Sequence, residues 1–478
     1  MKQPMQPELW AVTLPAVRAA RARGLLHIES DKYTPRRNVT KFESNAVGWS
    51  TTTRADSFFA ASDAPVQWDN MFSSSLGGGS APIPICEVPE LESAAKRVVE
   101  IAMGDQRFEQ SISLLSRGEP GSQRRRDQIE FEYVRFIGDI IARSEAVGAS
   151  SDDDLLAIYL LLEKARFAEE LKGDLLVPIA LTALDLDQSL KLADGLWIEP
   201  LDEDMQRARA ASTLYSERIS AFVIAAATHA IVQEDFKIHN RNLFNRRFRT
   251  PEIDLTQVDR VIQCLHIASQ RDTGYAQAIM RPFDWADDWM HDLPAVWEIG
   301  QYHRYPDDFD NGGWNREKVL VPKAEIELVP RLFAGLSDAP PNVGLAARRM
   351  IRAVLRTDDE DKTLDATIGI EALMLGNRDR DELTHRMAQR AAAVLSSDGY
   401  KPAEIYRLIK KVYEHRSAIV HGRASKRSEI QVGEYSHPAQ DVGAMLLRLL
   451  LVNRLLTGTP WTPESLDAQI LNALTRAD

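Results

Sequence analysis

The chain has 478 residues, 44% hydrophobic and 27% charged, with a net charge of −12; this is ordinary globular usage and enough chain for two to four domains. Its two cysteines, Cys86 and Cys264, exclude a disulfide scaffold and a four-cysteine zinc site, and they fit a reducing, cytoplasmic compartment. The start, MKQPMQPELWAV, has no long apolar core, and the most apolar run, MLLRLLLVNRLL at 445–456, is short and carries Arg448 and Arg454, so neither a signal peptide nor a membrane partner is expected.

Taken in order, residues 1–90 show little periodicity. Residues 49–53 and 57–61 look extended, and SSSLGGGSAPIP (73–84) reads as a loop. Its glycines lack a following Lys-Ser/Thr, which excludes a phosphate-binding P-loop. Residues 91–172 are a helical segment, interrupted by RGEPGSQRRR (117–126), an expected exposed turn. A second helix, Ser151 to Lys172, opens on the acidic capping run SSDDD. The texture then changes. DLLVPIALTALDLDQSL and GLWIEPL alternate as strands do, with a turn at Asp194-Gly195. A helix is expected over Asp202 to Gln233, a polar, basic loop over 235–252, and a helix over 258–269. Residues 281–314 hold four of the nine tryptophans and read as an irregular, aromatic-packed segment. Asp287, Asp288, His291 and Asp292 lie there, but no further ligand pattern joins them, so no metal is expected. Together 173–335 make a mixed α+β middle domain. From Asn342 the periodicity is helical to the end, with helices over 363–375, 381–395, 402–421 and 438–456. These predict a bundle of about five helices within 336–478. The fold class is mainly α, α+β overall, with a small sheet ahead of the bundle.

Charge is uneven. Residues 341–478 carry 20 Lys and Arg against 18 Asp and Glu, net +2, and the remainder is net −14. Arg407, Lys410, Lys411, Arg416, Arg423, Lys426 and Arg427 face one acid, Glu414, within 405–427. A local basic surface on an acidic protein suits a polyanion.

The stretch that breaks the pattern is YEHRSAIVHG, Tyr413 to Gly422. Ile405, Leu408, Ile409, Val412, Ile419 and Val420 form one helical stripe. Arg416 falls about 20° from Ile405, inside that stripe. His421 lies about 140° from Arg416, at the end of the helix, with Gly422 ready to take a left-handed C-terminal position. On 363–375, Glu371 sits about 20° from Leu364, on a stripe with Ile368 and Leu375. An inward carboxylate on one helix and an inward Arg on another are expected to pair, because either alone is costly to bury.

IGIEALMLG, the HRMAQRAAAVL helix and YRLIKKVYEHRSAIVHG together resemble the HEPN superfamily of small helical bundles, most closely its ApeA-like branch in prokaryotic defence proteins. The family motif is Arg, a polar residue, three or more further residues, then His. Arg416, Ser417 and His421 fill it. The resemblance covers about 342–457, with weaker similarity around 177–204 and the Trp-rich segment; residues 1–90 match nothing recognisable. It implies a metal-independent endoribonuclease with no cofactor, acting as a homodimer whose paired bundles line one cleft and leave 2′,3′-cyclic phosphate ends. It implies Arg416 and His421 as catalytic residues. Glu371, Ser417 and Tyr413 would support them, and from the basic cluster Lys410, Lys411, Arg423, Lys426 and Arg427 would hold RNA. The N-terminal part would sense a phage-derived or small-molecule trigger in antiphage defence by abortive infection. The chemistry agrees with the residue types. RNA supplies its own 2′-hydroxyl nucleophile, a His can take or deliver a proton near neutral pH, and Arg can hold the phosphoryl oxygens. Two other classes of function remain open on sequence: a catalytically silent HEPN module for dimerisation or RNA binding, and a ligand-sensing regulator.

Overall fold

A computed structural model describes all residues except 1–2, 31, 38–40, 54–62, 75–80, 113–118, 120, 213–218, 241–252, 287–295, 377–378, 380, 423–428, 458–460 and 476–478. The fold is mainly α, with small sheets in an α+β arrangement.

The first unit is helical: α1 (Pro7–Glu29), then two short pairs of strands, β1 (Lys41–Ser44) with β2 (Ser50–Thr53) and β3 (Phe72–Ser73) with β4 (Ile83–Pro84), then α2 (Pro89–Gly104), α3 (Gln106–Ile112), α4 (Gln123–Val147) and α5 (Asp152–Phe167). One hydrophobic core joins its helices, from Leu9 and Trp68 to Ile137 and Tyr159; the β1–β2 hairpin stands outside that core, its Trp49 clustering with Ala183 and Ala226 further along the chain. The boundary expected at residue 90 therefore crosses a core. The fully buried Glu163 on α5 ties the two halves together. It accepts the Met5 and Gln6 amides at 2.7 Å each and the Tyr159 hydroxyl at 2.9 Å, which places a carboxylate at the positive start of α1. The acidic run before α5 behaves as read: Ser151 and Asp154 form a capping box. The expected exposed turn at 117–126 needs correction. Its last residues open α4, and Arg125 is buried against Glu109. A buried guanidinium needs a carboxylate partner, and Glu109 is out of sight of a local reading.

The second unit starts with a long strand. The elements are β5 (Glu170–Ala180), β6 (Ala183–Leu184), β7 (Leu190–Ala193), β8 (Leu196–Pro200), α6 (Glu203–Ser212), α7 (Ala221–Ala225), β9 (Ala227–His239), α8 (Thr256–Ser269), β10 (Gly274–Pro282), β11 (Trp297–Arg304) and β12 (Leu320–Val321). Six of the strands make an antiparallel sheet in the order β11-β10-β5-β9-β8-β7, with Val177 opposite Ile231 at its centre. The helix expected over Asp202 to Gln233 is thus two helices and the first half of β9. The Ala-rich AFVIAAATHAIV favours helix locally, but pairing with β5 and β8 on both sides overrides that weak preference. The loop expected from residue 235 begins as strand, up to His239. The irregular segment expected over 281–314 contains β11, and its Asp287, Asp288, His291 and Asp292 lie outside the described residues.

The chain then forms α9 (Lys323–Ile326), α10 (Val329–Ser337), α11 (Pro341–Leu355), α12 (Asp359–Met374), α13 (Leu383–Ser396), α14 (Pro402–Val420), a hairpin of β13 (Glu429–Val432) and β14 (Tyr435–Pro438), α15 (Ala439–Leu456) and α16 (Pro463–Thr475). The hairpin interrupts what the sequence suggests is all helix. Its Ile430 is buried, and Arg407 of α14 donates to the Gln431 carbonyl at 2.8 Å. Sheet and bundle share one core, so the boundary expected at 335/336 falls within packed structure, inside α10. The joint is polar as well. Arg448 on α15 donates to the carbonyls of Ile267 and Ala268, at 2.7 and 3.0 Å, at the C-terminal end of α8, where a cation is favoured. Among the described residues no helix is long and apolar enough to cross a membrane.

Candidate active site at the end of α14

The helix α14 is built in two halves. Ile405, Leu408, Ile409 and Val412 are buried in the bundle, each stabilising its seat by about 1.5–3 kcal/mol. Beyond Val412 the cover stops: residues 413–419 are only half-buried or exposed, and Val420 is 56% exposed. The stripe expected through Ile419 and Val420 therefore ends about two turns early, and Arg416 sits where the apolar face leaves the bundle. The helix closes at His421, whose amide donates to the Ser417 carbonyl at 3.1 Å, and Gly422 follows at φ +65°, a conformation that costs glycine nothing.

The facing helix α12 is rotated from the expected register. Its buried face is Thr363, Asp365, Ala366, Thr367, Gly369, Ile370, Leu373 and Met374, with Leu364, Ile368 and Glu371 at the flank. Small and polar residues make that face legible only in three dimensions. Thr363 and Thr367 bond back to carbonyls one turn earlier. A Cβ on Gly369 would stand 2.5 Å from the Leu447 side chain of α15, so any larger residue here would force Leu447 to move. Asp365 is the buried carboxylate of α12, and it pairs with Arg349 at 2.6 Å.

Glu371, Tyr413 and Arg416 are brought together, as expected, but at the edge of the bundle rather than inside it. The Arg416 guanidinium is 3.9 Å from Glu371, with side-chain exposures of 29% and 24%. It also lies 5.4 Å from the centre of the Tyr413 ring, within cation–π range. The Tyr413 hydroxyl donates to Glu371, and burial first, then the Glu371 charge, raises its pKa, against the opposing pull of Arg416. Arg416 Nε is buried without a hydrogen-bond partner among the described residues. This guanidinium is held in place by one loose ion pair and a ring face, and most of its five donors are uncommitted.

No family model matches the chain. No curated protein and no solved structure matches it either. The site therefore rests on its own geometry.

The remaining expected residues divide by face. His421 is exposed and its ring makes no hydrogen bond or ion pair to a described residue; Ser417 is half-buried. Arg416 and His421 are separated by about 7.5 Å along the helix axis, within the joint reach of two long side chains. Lys411 is exposed and paired with Glu414 at 3.1 Å, and Lys410 lies over the Tyr406 ring at 5.7 Å. Both cluster with Arg407 on the outer face, and Arg407 stands about 180° from Arg416 around the helix. So these lysines do not share the face of α14 that carries Arg416. Arg423, Lys426 and Arg427 lie outside the described residues. One residue escaped the sequence reading: His415, half-buried beside Arg416, with its pKa lowered by burial and partly restored by Glu360. It lies about 100° off Arg416, so the stripe gave no reason to single it out. Among the described residues no group of three or more His, Cys, Asp or Glu is placed to hold a metal ion.

Proposed function

We propose that the chain is a HEPN-type endoribonuclease that cleaves RNA at the exposed end of α14, as a homodimer in prokaryotic antiviral defence. The observation that carries this reading is the state of Arg416. It is fixed by Tyr413 and Glu371 yet keeps donors available at the bundle edge, one and a half turns from an exposed His421. An incoming phosphodiester offers two charged oxygens, a better acceptor set for a guanidinium than one carboxylate at 3.9 Å.

In the proposed reaction the RNA 2′-oxygen attacks the adjacent phosphorus and the bond to the 5′-oxygen breaks. The 2′-proton goes to a base, and the departing 5′-oxygen receives a proton from an acid. Arg416 stabilises the charge gathering on the non-bridging oxygens. The products are a 2′,3′-cyclic phosphate and a 5′-hydroxyl. One His421 cannot serve easily as both acid and base, so a two-fold pair of bundles, each bringing one, completes the site. The N-terminal unit and sheet would then restrain or trigger the bundle, to which the Arg448 contact already joins the sheet layer.

The test is to incubate purified wild type and Arg416→Ala/His421→Ala protein with total RNA in EDTA and to map the fragment ends. Cleavage by wild type alone, with cyclic-phosphate ends, is expected. Equal cleavage by both proteins would falsify the assignment of these residues.

A further inference from the structure

A cavity of about 150 Å³ lies far from α14 in the chain, where the β1–β2 hairpin packs on the sheet unit. Its inner wall comes from Trp49 beside the β1–β2 hairpin, Leu181 after β5 and Phe309 after β11. The wall is firmly built. Trp49 is 4% exposed and its indole N–H donates to the Arg316 carbonyl at 3.2 Å. Leu181 is held at φ +48°, a left-handed conformation unusual for a branched side chain, by the hydrogen bond its amide donates to the Ala226 carbonyl at 2.7 Å. Opposite it a Cβ on Gly313 would come within 2.8 Å of Leu181 Cδ1, so a larger residue there would push the Leu181 side chain.

The mouth is charged. Arg271, Asp272 and Glu317 line it, all three are exposed, and none makes an ion pair with a described residue. The neighbouring Arg316 is already committed to Asp308. An isolated carboxylate ligand would meet the two acids, and an isolated amine would leave the Arg271 charge unanswered. A ligand bearing both charges on one carbon, with an apolar body, satisfies the whole set. The volume is well below the roughly 300–1,000 Å³ of drug-sized sites and close to that of cavities that take a benzene-sized guest.

We propose that this cavity binds a free α-amino acid with a small apolar side chain, its carboxylate on Arg271, its ammonium between Asp272 and Glu317, and its side chain against Trp49, Leu181 and Phe309. Trp49 clusters with Ala183 and Ala226 of the sheet unit, so the bound ligand would pin the β1–β2 hairpin to the sheet. The inference does not depend on RNA cleavage.

The test is thermal unfolding of the full chain with L-valine or L-leucine at millimolar concentration. Controls are the matching amines, isobutylamine and isoamylamine, and the matching carboxylates, 3-methylbutanoate and 4-methylpentanoate. The expected result is a rise in Tm of about 2–4 °C with at least one amino acid, none with the controls, and loss of the rise in both Arg271→Gln and Asp272→Asn. The Arg271 side chain is exposed and makes no ion pair with a described residue, so Arg271→Gln should keep the wild-type unliganded Tm; Asp272→Asn also removes a charge that faces His266, so any rise is read against its own unliganded Tm. Absence of a rise with either amino acid, an equal rise with an amine or carboxylate, or a rise retained in both variants would overturn the proposal.

Discussion

Two arginines of the same bundle, Arg390 on α13 and Arg416 on α14, show opposite uses of one side chain. Arg390 is 2% exposed. It meets Asp467 at 2.8 and 2.7 Å, Asp379 at 2.5 and 3.3 Å, and the Met374 carbonyl at 2.7 Å. Nε, Nη1 and Nη2 are all engaged, and the guanidinium locks α12, α13 and α16 together. Arg416 has one ion pair at 3.9 Å and a ring face. Burial and full satisfaction make an arginine structural; placement without satisfaction leaves it able to take up an anion.

The comparison breaks most cleanly in a pair of alanine substitutions. Arg390→Ala leaves Asp379 without its main counter-ion inside the bundle and is expected to cost about 3–5 kcal/mol in urea unfolding. Arg416→Ala should cost less than about 1 kcal/mol, while RNA cleavage falls at least about 10²-fold. If Arg416→Ala unfolded the protein as severely as Arg390→Ala, the contrast would be lost, and Arg416 would have to be read as a second structural lock.

Acid sharpens the same contrast. The Arg390 hydrogen bond, chiefly, holds the Asp379 carboxyl at about 2, below its usual 3.8. A carboxylate depressed on folding contributes stability that is complete above its unfolded value and disappears as pH falls through its folded value. Wild type should therefore lose stability between about pH 4 and pH 2 through this group. Asp379→Asn should be less stable at neutral pH and show a flatter decline across that window, measured by thermal unfolding. Asp467 is lowered by the same Arg390 and adds to the slope in wild type.

Tyr413→Phe is the gentler probe. It keeps the ring under Arg416 and removes the hydroxyl that bonds Glu371. A loss of about 0.5–1.5 kcal/mol in stability is expected, with a smaller drop in cleavage than Arg416→Ala gives. Cleavage falling as far as in Arg416→Ala would make the hydroxyl part of the chemistry rather than a brace for Glu371.

The two arginines also differ in how far sequence reveals them. Arg416 stands out because helical spacing over 405–420 is regular, and a charge on an apolar stripe is visible locally. Its partner Glu371 was found by the same rule, although α12 turns its Thr, Gly and Asp face inward and Glu371 only flanks it. Arg390 looks like any surface arginine in HRMAQRAAAVL, because its partners are 11 and 77 residues away. Distance hides β9 in the same way. Its strand character comes from β5 and β8, not from its alanines. The hairpin at 429–438 is short and mostly exposed, and its one anchor is Ile430. Local period carries α14 and the extent of α12 but not which face of α12 is buried; non-local pairing decides that face, the sheet and the ionic lock.

The smallest expected effect concerns the outer face of α14. Lys411 was grouped with the RNA-binding residues on charge alone, yet it is exposed, paired with Glu414, and close to the far side of the helix from Arg416. Lys411→Ala should change stability by less than about 0.5 kcal/mol. If RNA enters only at the bundle edge, cleavage measured across a range of NaCl concentrations should keep its salt dependence. Each lost phosphate contact lowers the magnitude of the log–log salt slope for binding by about 1. A decrease of that size would mean that the strand wraps α14, touching Lys411 on one face and Arg416 on the other, and would make the whole exposed end of the helix, rather than the bundle edge beside Glu371, the centre of the binding surface.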